Sequence, residues 1–197
     1  MDERLQNARN IIFDVGNVLL SFDPAKVITL LPQEVRETML RAMFGPEHRW
    51  GGFDLGARSN EDIAQDIAAA AGIPGAKDMV LFVLSHFHET MGPMPLYHMI
   101  PDLKAAGKHL YALTNYPEPS FSLAYEAFPN LRLLEGIVVS SREKLIKPQP
   151  EIYRLIADRY RLTPSETLFI DDSASNAEGA AREGFQTWHY FGCDRIA

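Results

Sequence analysis

The chain has little cysteine, no long apolar run and an excess of negative over positive charge. Cys193 is the one cysteine among 197 residues, so an internal disulfide is excluded and we expect a protein of the reducing cytoplasm. The longest apolar run, residues 79–84, is too short to cross a bilayer, and the charged N-terminal segment lacks the apolar stretch of a secretory signal. Lys and Arg number 19 against 26 Asp and Glu, and this net charge of -7 argues against nucleic acid or an anionic membrane as partner.

What is present is a globular composition, 46% hydrophobic and 23% charged, in which short apolar runs alternate with helical patterns. Helical spacing is seen in Ile152, Leu155 and Ile156, and Gly107 and Gly184 are predicted to end helices in the left-handed region. The runs predicted as strands are residues 11–14, 109–115, 136–141, 167–172 and 185–191. This order predicts an α/β fold with a Rossmann-like three-layer core and a parallel sheet.

Residues 23–92 interrupt the alternation, because only helical patterns occur there. We interpret them as a helical cap inserted into an α/β core made of residues 1–22 and 93–197. An insert that leaves from the carboxyl edge of the sheet would lie over that edge. Five cap residues are possible substrate contacts, although a structural role is the stronger interpretation of each: Trp50, Phe53, Arg58, His86 and His88. Large aromatic residues such as Trp50 and Phe53 usually fill the core. His86 and His88 are two apart on a predicted helix and so lack the i, i+4 spacing of a metal-binding pair. The sequence leaves monomer and homodimer equally open.

Polar residues lie at the end of four of the predicted strands or in the loop that follows: Asp14, Thr114 with Asn115, Lys147 in the loop after residues 136–141, and Asp171 with Asp172. A parallel sheet brings its strand ends to one crevice, so we expect these side chains to converge although they are far apart in sequence. Three carboxylates that close together need a cation, and carboxylate and carbonyl oxygens favour a hard ion such as Mg²⁺.

These segments resemble, in order, the four motifs of the haloacid dehalogenase-like hydrolase superfamily. They are FDVGNVLL (residues 13–20), ALTN (112–115), KPQPEIY (147–153) and FIDDSASN (169–176). Within the superfamily, the first motif is similar to that of bacterial sugar-phosphate phosphatases, particularly those acting on glucose-1-phosphate. The resemblance implies a phosphatase of a small phosphate ester that works through an aspartyl-phosphate.

The same resemblance implies a role for each matching residue. Asp14 would be the nucleophile, and Thr114 and the Asn115 backbone would bind phosphate oxygens. Lys147 would bridge Asp14 and the phosphate. The Mg²⁺ ligands would be Asp14, Asp172 with Asp171 beside it, and the backbone carbonyl of Gly16.

Gly16 departs from the pattern, because most phosphatases of the superfamily carry there an aspartate that protonates the leaving alcohol. Loss of such a donor removes a factor of about 10² to 10⁴ in rate. We therefore expect either an easily displaced leaving group, such as that of an anomeric sugar phosphate, or a cap group or ordered water in the missing role.

Two other functions compete with the phosphatase. A metal-independent dehalogenase also uses an aspartate nucleophile, but Asp171 and Asp172 are a costly pair in a site without a cation. A non-catalytic protein that binds a phosphorylated ligand is the other alternative, and Gly16 is its one support.

Overall fold

The computed structural model describes residues 2–47 and 49–192, so Cys193 lies outside the described residues. Its sheet has five parallel strands in the order β3-β2-β1-β4-β5. Their bounds are β1 Asn10–Phe13, β2 His109–Thr114, β3 Gly136–Val139, β4 Thr167–Asp171 and β5 Gln186–His189. The predicted α/β, Rossmann-like class is confirmed.

Helices connect the strands and form the insert. In chain order the α-helices are α1 Glu3–Asn7, α2 Pro24–Val27, α3 Arg36–Phe44, α4 Gly51–Leu55, α5 Asn60–Ala71, α6 Ala76–His86, α7 Pro95–Ala105, α8 Ser120–Ala127, α9 Ser140–Glu143, α10 Pro150–Tyr160 and α11 Ala174–Arg182. Short 3₁₀ turns cover Ile28–Leu30, Gln33–Val35, Phe87–Thr90, Pro129–Leu133 and Pro164–Glu166. Between residues 23 and 92, every regular element of the described part is helical. The division into core and cap remains our interpretation of this pattern.

The sheet is covered on both faces, which is why its inner strands β1, β2 and β4 are mainly apolar without alternation. All four residues of β1 are buried. Ile11 and Phe13 point into the larger of two apolar clusters, which also contains most of the buried residues of the insert. Ile12 points to the opposite face, into a smaller cluster built with residues of α10 such as Ile152 and Ile156. Three layers follow directly from this two-sided burial.

Helix ends agree with the glycine signals in the sequence. Gly107 (φ 78°) follows α7 and Gly184 (φ 89°) follows α11, both in the left-handed region where glycine has no steric cost. No helix in the described part of the chain is both long and apolar enough to cross a membrane.

The predicted strands end too late in the chain. The structure starts β1 at Asn10 and ends it at Phe13, so Asp14 lies just beyond the strand; Asn115 and Asp172 also follow strands that have already ended. The ladder stops because the chain turns out of the sheet at these polar residues.

The chain order runs from β1 outward through β2 and β3, then returns to β4 on the other side of β1. This reversal leaves a crevice at the carboxyl ends of β1 and β4, where open α/β sheets bind ligands.

Candidate active site

Asp14 lies at this crevice, and one of its two carboxylate oxygens, Oδ1, is bound by neighbouring groups. Its backbone N–H donates to the Ile170 carbonyl of β4 (2.8 Å). The Oδ1 atom accepts from the Val15 N–H (2.7 Å) and lies 3.0 Å from Lys147 Nζ. No described residue donates a hydrogen bond to Oδ2. Oδ2 is therefore the oxygen left to meet an electrophile or a metal.

Lys147 is a fully buried cation whose three N–H groups all have acceptors. Nζ lies 3.0 Å from Asp14 Oδ1, 2.6 Å from Asp171 Oδ2 and 3.0 Å from the Leu113 carbonyl. Burial by itself lowers the pKa of Lys147, but Asp14 and Asp171 raise that pKa above its ordinary value, so the side chain stays an ammonium. Lys147 thus fixes the two carboxylates relative to each other.

Asn115 fastens the loop that carries Lys147. The Asn115 side-chain amide donates to the Lys147 carbonyl (3.1 Å), and its Oδ1 accepts from the Lys147 N–H (2.9 Å). Thr114, the last residue of β2, is buried directly before it. The reciprocal amide pair links the end of β2 to the loop before α10, so Lys147 reaches Asp14 from a fixed backbone.

Asp171 and Asp172 are adjacent but differently placed. Asp171 ends β4 fully buried, and its Oδ1 accepts from the Ser173 N–H (2.9 Å) and from Asn176 Nδ2 (3.0 Å) while its Oδ2 contacts Lys147. Asp172 is less buried, and its Oδ2 accepts from Asn17 Nδ2 (3.2 Å). Of the pair, Asp172 has the freer carboxylate.

One carboxylate oxygen each from Asp14, Asp171 and Asp172 lies within 4.8 Å of the others. Burial raises the pKa of Asp14 to about 7; Lys147 opposes the rise, and the charges of Asp171 and Asp172 add to it. Burial likewise raises the pKa of Asp172. A single ammonium does not balance three carboxylates, and an all-oxygen set of this kind fits a hard divalent cation such as Mg²⁺.

A cavity of about 230 Å³ opens above Asp14. Its wall is a set of aromatic rings in mutual contact: Phe22 and Trp50 each lie edge-on to Phe87, at 5.7 and 5.5 Å between centroids, and Phe87 stacks on Tyr116 at 5.4 Å. The complete lining is Asp14, Gly16, Asn17, Phe22, Trp50, Asp54, Phe87, Met91, Asn115, Tyr116, Pro117 and Asp172. Core and insert therefore enclose the cavity together.

Among the cap residues considered from the sequence, Trp50 lines this cavity. Phe53 is buried against Trp50, at 5.3 Å between ring centroids. Arg58 is exposed and pairs with Asp66 (2.6 Å). His86 stacks on the exposed ring of Phe82, at 4.1 Å between centroids. His88 is not among the lining residues.

Sequence reasoning missed Asn17 and Asp54, which both line the cavity. Asn17 adopts a positive φ of 54° and joins Asp172 to the Phe22 N–H, which its Oδ1 accepts at 2.9 Å. A signal for Asn17 existed, since asparagine takes the left-handed region more often than most residues other than glycine. Asp54 had a weaker signal, namely a lone acid within the apolar stretch 50–55.

The fold and the site together define an α/β protein with an aspartate nucleophile candidate at a sheet switch point, under a helical insert. The chain belongs to the haloacid dehalogenase-like hydrolase family, whose sequence profile matches residues 8–184. It is accordingly a hydrolase, as the four motifs in its sequence imply.

Three known proteins illustrate the similarity. The sesquiterpene phosphatase astK of Aspergillus oryzae is 26% identical over 182 residues, which cover 90% of this chain and 87% of that protein. The HAD family enzyme bt-2542 of Bacteroides thetaiotaomicron, solved with magnesium and inorganic phosphate, has a TM-score of 0.74 at 19% identity, covering 96% of this chain and 98% of that one. The L-2-haloacid dehalogenase of Xanthobacter autotrophicus has a TM-score of 0.67 at 16% identity, covering 91% and 76%.

Proposed function

We propose that the chain is a Mg²⁺-dependent phosphatase that hydrolyses a small phosphate ester through an aspartyl-phosphate on Asp14. The observation that carries the proposal is the three-carboxylate cluster around Asp14, with Lys147 as its only close cation among the described residues. The relative named as a phosphatase and the similar enzyme solved with magnesium and phosphate support it. Without a cation, as in the dehalogenase alternative, the neighbouring charge of Asp172 would raise the pKa of Asp14 and so disfavour the carboxylate that must attack.

In the proposed reaction, Asp14 Oδ2 attacks phosphorus, because Oδ1 is already held by Val15 and Lys147. Lys147 keeps that carboxylate oriented and offsets negative charge as the phosphoryl group arrives. Thr114 and the Asn115 backbone lie at the end of β2, where they would bind phosphate oxygens. Water then hydrolyses the aspartyl-phosphate and frees Asp14.

Asp14, Asp172 and the Gly16 carbonyl would hold the Mg²⁺, with Asp171 as the neighbouring acid. When bound, the ion would supply positive charge for the phosphoryl oxygens. Asp171 is the least free to coordinate, since both of its oxygens already accept hydrogen bonds. Its proposed contribution is to hold Lys147 and to add to the charge of the site.

The size and lining of the cavity restrict the ester. At about 230 Å³, the cavity is smaller than the roughly 300 Å³ at which pockets for drug-sized ligands begin. The motif resemblance favours a sugar phosphate. The aromatic wall of Phe22, Trp50, Phe87 and Tyr116 favours a second class, an ester with an apolar organic part.

The cytoplasm remains the proposed location, on the ground of the single cysteine.

The test is phosphate release from a panel containing sugar phosphates, a short isoprenoid monophosphate and an aryl phosphate, with Mg²⁺ or with EDTA. We expect release that needs Mg²⁺ and is abolished by Asp14→Asn. Asp158→Asn is the matched control, because this acid is exposed on α10, away from the cavity. Folded protein that binds Mg²⁺ but releases no phosphate from any ester would instead support the non-catalytic binding protein.

A further inference from the structure

The proposed reaction leaves one requirement unmet, which is a proton for the leaving oxygen. The inference that follows rests on the proposed phosphatase function. An alkoxide is a poor leaving group unless a positioned acid protonates it as the bond to phosphorus breaks. Residue 16 is a glycine and supplies no such acid. A Cβ built there meets nothing within 4 Å, so the space beside Asp14 is open to the cavity and no other side chain fills it.

Most polar groups that line the cavity are unsuited to this role. Asp14 forms the bond to phosphorus, and Asp172 belongs to the proposed metal set. The amides of asparagine are not acids. The Tyr116 hydroxyl donates to Met91 Sδ (3.1 Å), and burial raises its pKa above the ordinary value, which makes it a weaker acid. Among the described lining residues, Asp54 remains.

The backbone of Asp54 is fixed to the core. The buried Ser140 hydroxyl donates to the Asp54 carbonyl (2.5 Å) and accepts from the Tyr116 N–H (3.0 Å). Two residues on, Gly56 (φ 64°) lies so close to α9 that an added Cβ would come within 2.8 Å of the Ser141 Cα. The short helix α4 is therefore docked against the end of β3, with Asp54 facing the cavity above Asp14.

The Asp54 carboxyl is also chemically suitable. No described residue donates a hydrogen bond to it, so it is available to a ligand. Burial raises the pKa of Asp54 to about 7, although the Lys147 charge opposes the rise. An acid with a pKa near neutrality is populated in both forms, as proton transfer in both directions requires.

The surroundings of Asp54 contain few other charges. The titratable groups that line the cavity with it are Asp14, Tyr116 and Asp172, and Lys147 lies beneath Asp14. The charged residues of the neighbouring α9 form ion pairs with residues other than Asp54: Arg142 with Glu118, and Glu143 with Arg159. On α5, the acids nearest to Asp54 in sequence are Glu61 and Asp62, and both are exposed to solvent.

We propose that Asp54, a residue of the cap, is the general acid and base of the reaction. As Asp14 Oδ2 bonds to phosphorus, the bond from phosphorus to the ester oxygen breaks, and that oxygen keeps the electron pair and takes the Asp54 proton. Water then attacks phosphorus and gives a proton to the Asp54 carboxylate, while the bond from phosphorus to Asp14 breaks and returns its electron pair to Asp14. One water is consumed, and both carboxyls return to their starting states.

The experiment compares kcat/KM of wild type and Asp54→Asn on two esters with Mg²⁺ present, an alkyl phosphate and para-nitrophenyl phosphate. Nitrophenolate leaves without protonation, whereas an alkoxide does not. We expect Asp54→Asn to lower kcat/KM by about 10² to 10⁴ on the alkyl ester and by less than about threefold on the aryl ester. Asp62→Asn, the same change on an exposed cap residue, is expected to leave both values at the wild-type level.

Two further measurements separate acid catalysis from a structural role. The wild-type kcat/KM for the alkyl ester is expected to fall as pH rises above about 7, and this limb should vanish in Asp54→Asn. Adding Gly16→Asp to Asp54→Asn is expected to restore alkyl-ester activity, because the position has room for a side chain.

The outcomes separate this assignment from the proposed function. Wild type inactive on both esters would overturn the phosphatase and the Asp54 role together. If the wild type is active, either of two results would overturn the Asp54 role alone. In the first, Asp54→Asn keeps kcat/KM for the alkyl ester within about threefold of wild type. In the second, Asp54→Asn lowers kcat/KM equally for both esters and adding Gly16→Asp restores neither activity.

Discussion

The stability of the folded protein is expected to depend on Mg²⁺ strongly at alkaline pH and weakly at acid pH. Burial raises the pKa of Asp14 to about 7 in the metal-free protein, so a proton and a metal ion compete for the same carboxyl. In the unfolded chain the pKa of an aspartate is near 3.8, so the folded state holds this proton more tightly than the unfolded chain does. Without metal, the Asp14 contribution to the free energy of unfolding therefore falls as pH rises between these two values.

The size of the Mg²⁺ effect follows from this competition. With a pKa near 7, Asp14 is about 90% ionised at pH 8 and about 1% ionised at pH 5, so the apparent Kd for Mg²⁺ weakens about 90-fold between them. A Mg²⁺ concentration of 100 times the Kd at pH 8 stabilises the fold by about 2.7 kcal/mol there, and by about 0.4 kcal/mol at pH 5. At about 2–4 °C per kcal/mol, Tm rises by about 5–11 °C at pH 8 and about 1–2 °C at pH 5.

The assay is thermal unfolding followed by circular dichroism, at both pH values, with Mg²⁺ or with EDTA. Asp172→Asn removes a proposed ligand without changing side-chain size, and we expect it to abolish most of the Mg²⁺ shift at pH 8. Asp158→Asn is expected to keep the full shift, since it lies outside the cluster. Equal shifts at the two pH values, or none in wild type at pH 8, would refute the reasoning about the carboxylate cluster.

Two substitutions test the packing around the site. Lys147→Met leaves Asp14 and Asp171 buried without a cation, so we expect a loss of about 3–5 kcal/mol in urea unfolding with EDTA; a loss below about 1 kcal/mol would contradict the role of Lys147 as their shared counter-ion. Gly56→Ala places a Cβ against Ser141 at a positive φ, and we expect about 2–4 kcal/mol of destabilisation. An unchanged urea midpoint would mean that α4 is not docked as described.

The core of the fold could be predicted because its signals are local. Strands β1 to β4 are short, mainly apolar runs, and the polar residue after each marks where the ladder stops. Asp14, Asn115 and Asp172 meet because parallel strands end at one edge, which needs no knowledge of any particular contact. The family resemblance implies that Asp172 is the main metal carboxylate with Asp171 beside it, but the contact of Asp171 with Lys147 could not be predicted, since two adjacent acids look alike until the strand end is placed. Asp171 is still in β4 and points into the core, whereas Asp172 is past it.

The cap was less predictable because its signals are not local. Helical periodicity predicts which residues of the insert are buried, but it does not say which part of the core they cover. Asp54 owes its position to Ser140, a contact across 86 residues of sequence. Asp54 is notable in its segment only as a lone acid, and nothing near Ser140 points to it, so the pair could be recognised only once α4 and α9 were seen side by side.

This placement ties proton transfer to the docking of the cap. The Ser140 hydroxyl donates a hydrogen bond to the Asp54 carbonyl. The helix that contains Asp54, α4, begins next to Trp50, which forms part of the aromatic wall. A movement of α4 away from α9 would remove the proposed acid and part of the wall in one step. Loosening this contact by Gly56→Ala should therefore reduce kcat/KM more for an alkyl ester than for an aryl ester, because only the alkyl ester needs the proton. An equal reduction for both esters would instead mean that the docked cap serves substrate binding alone.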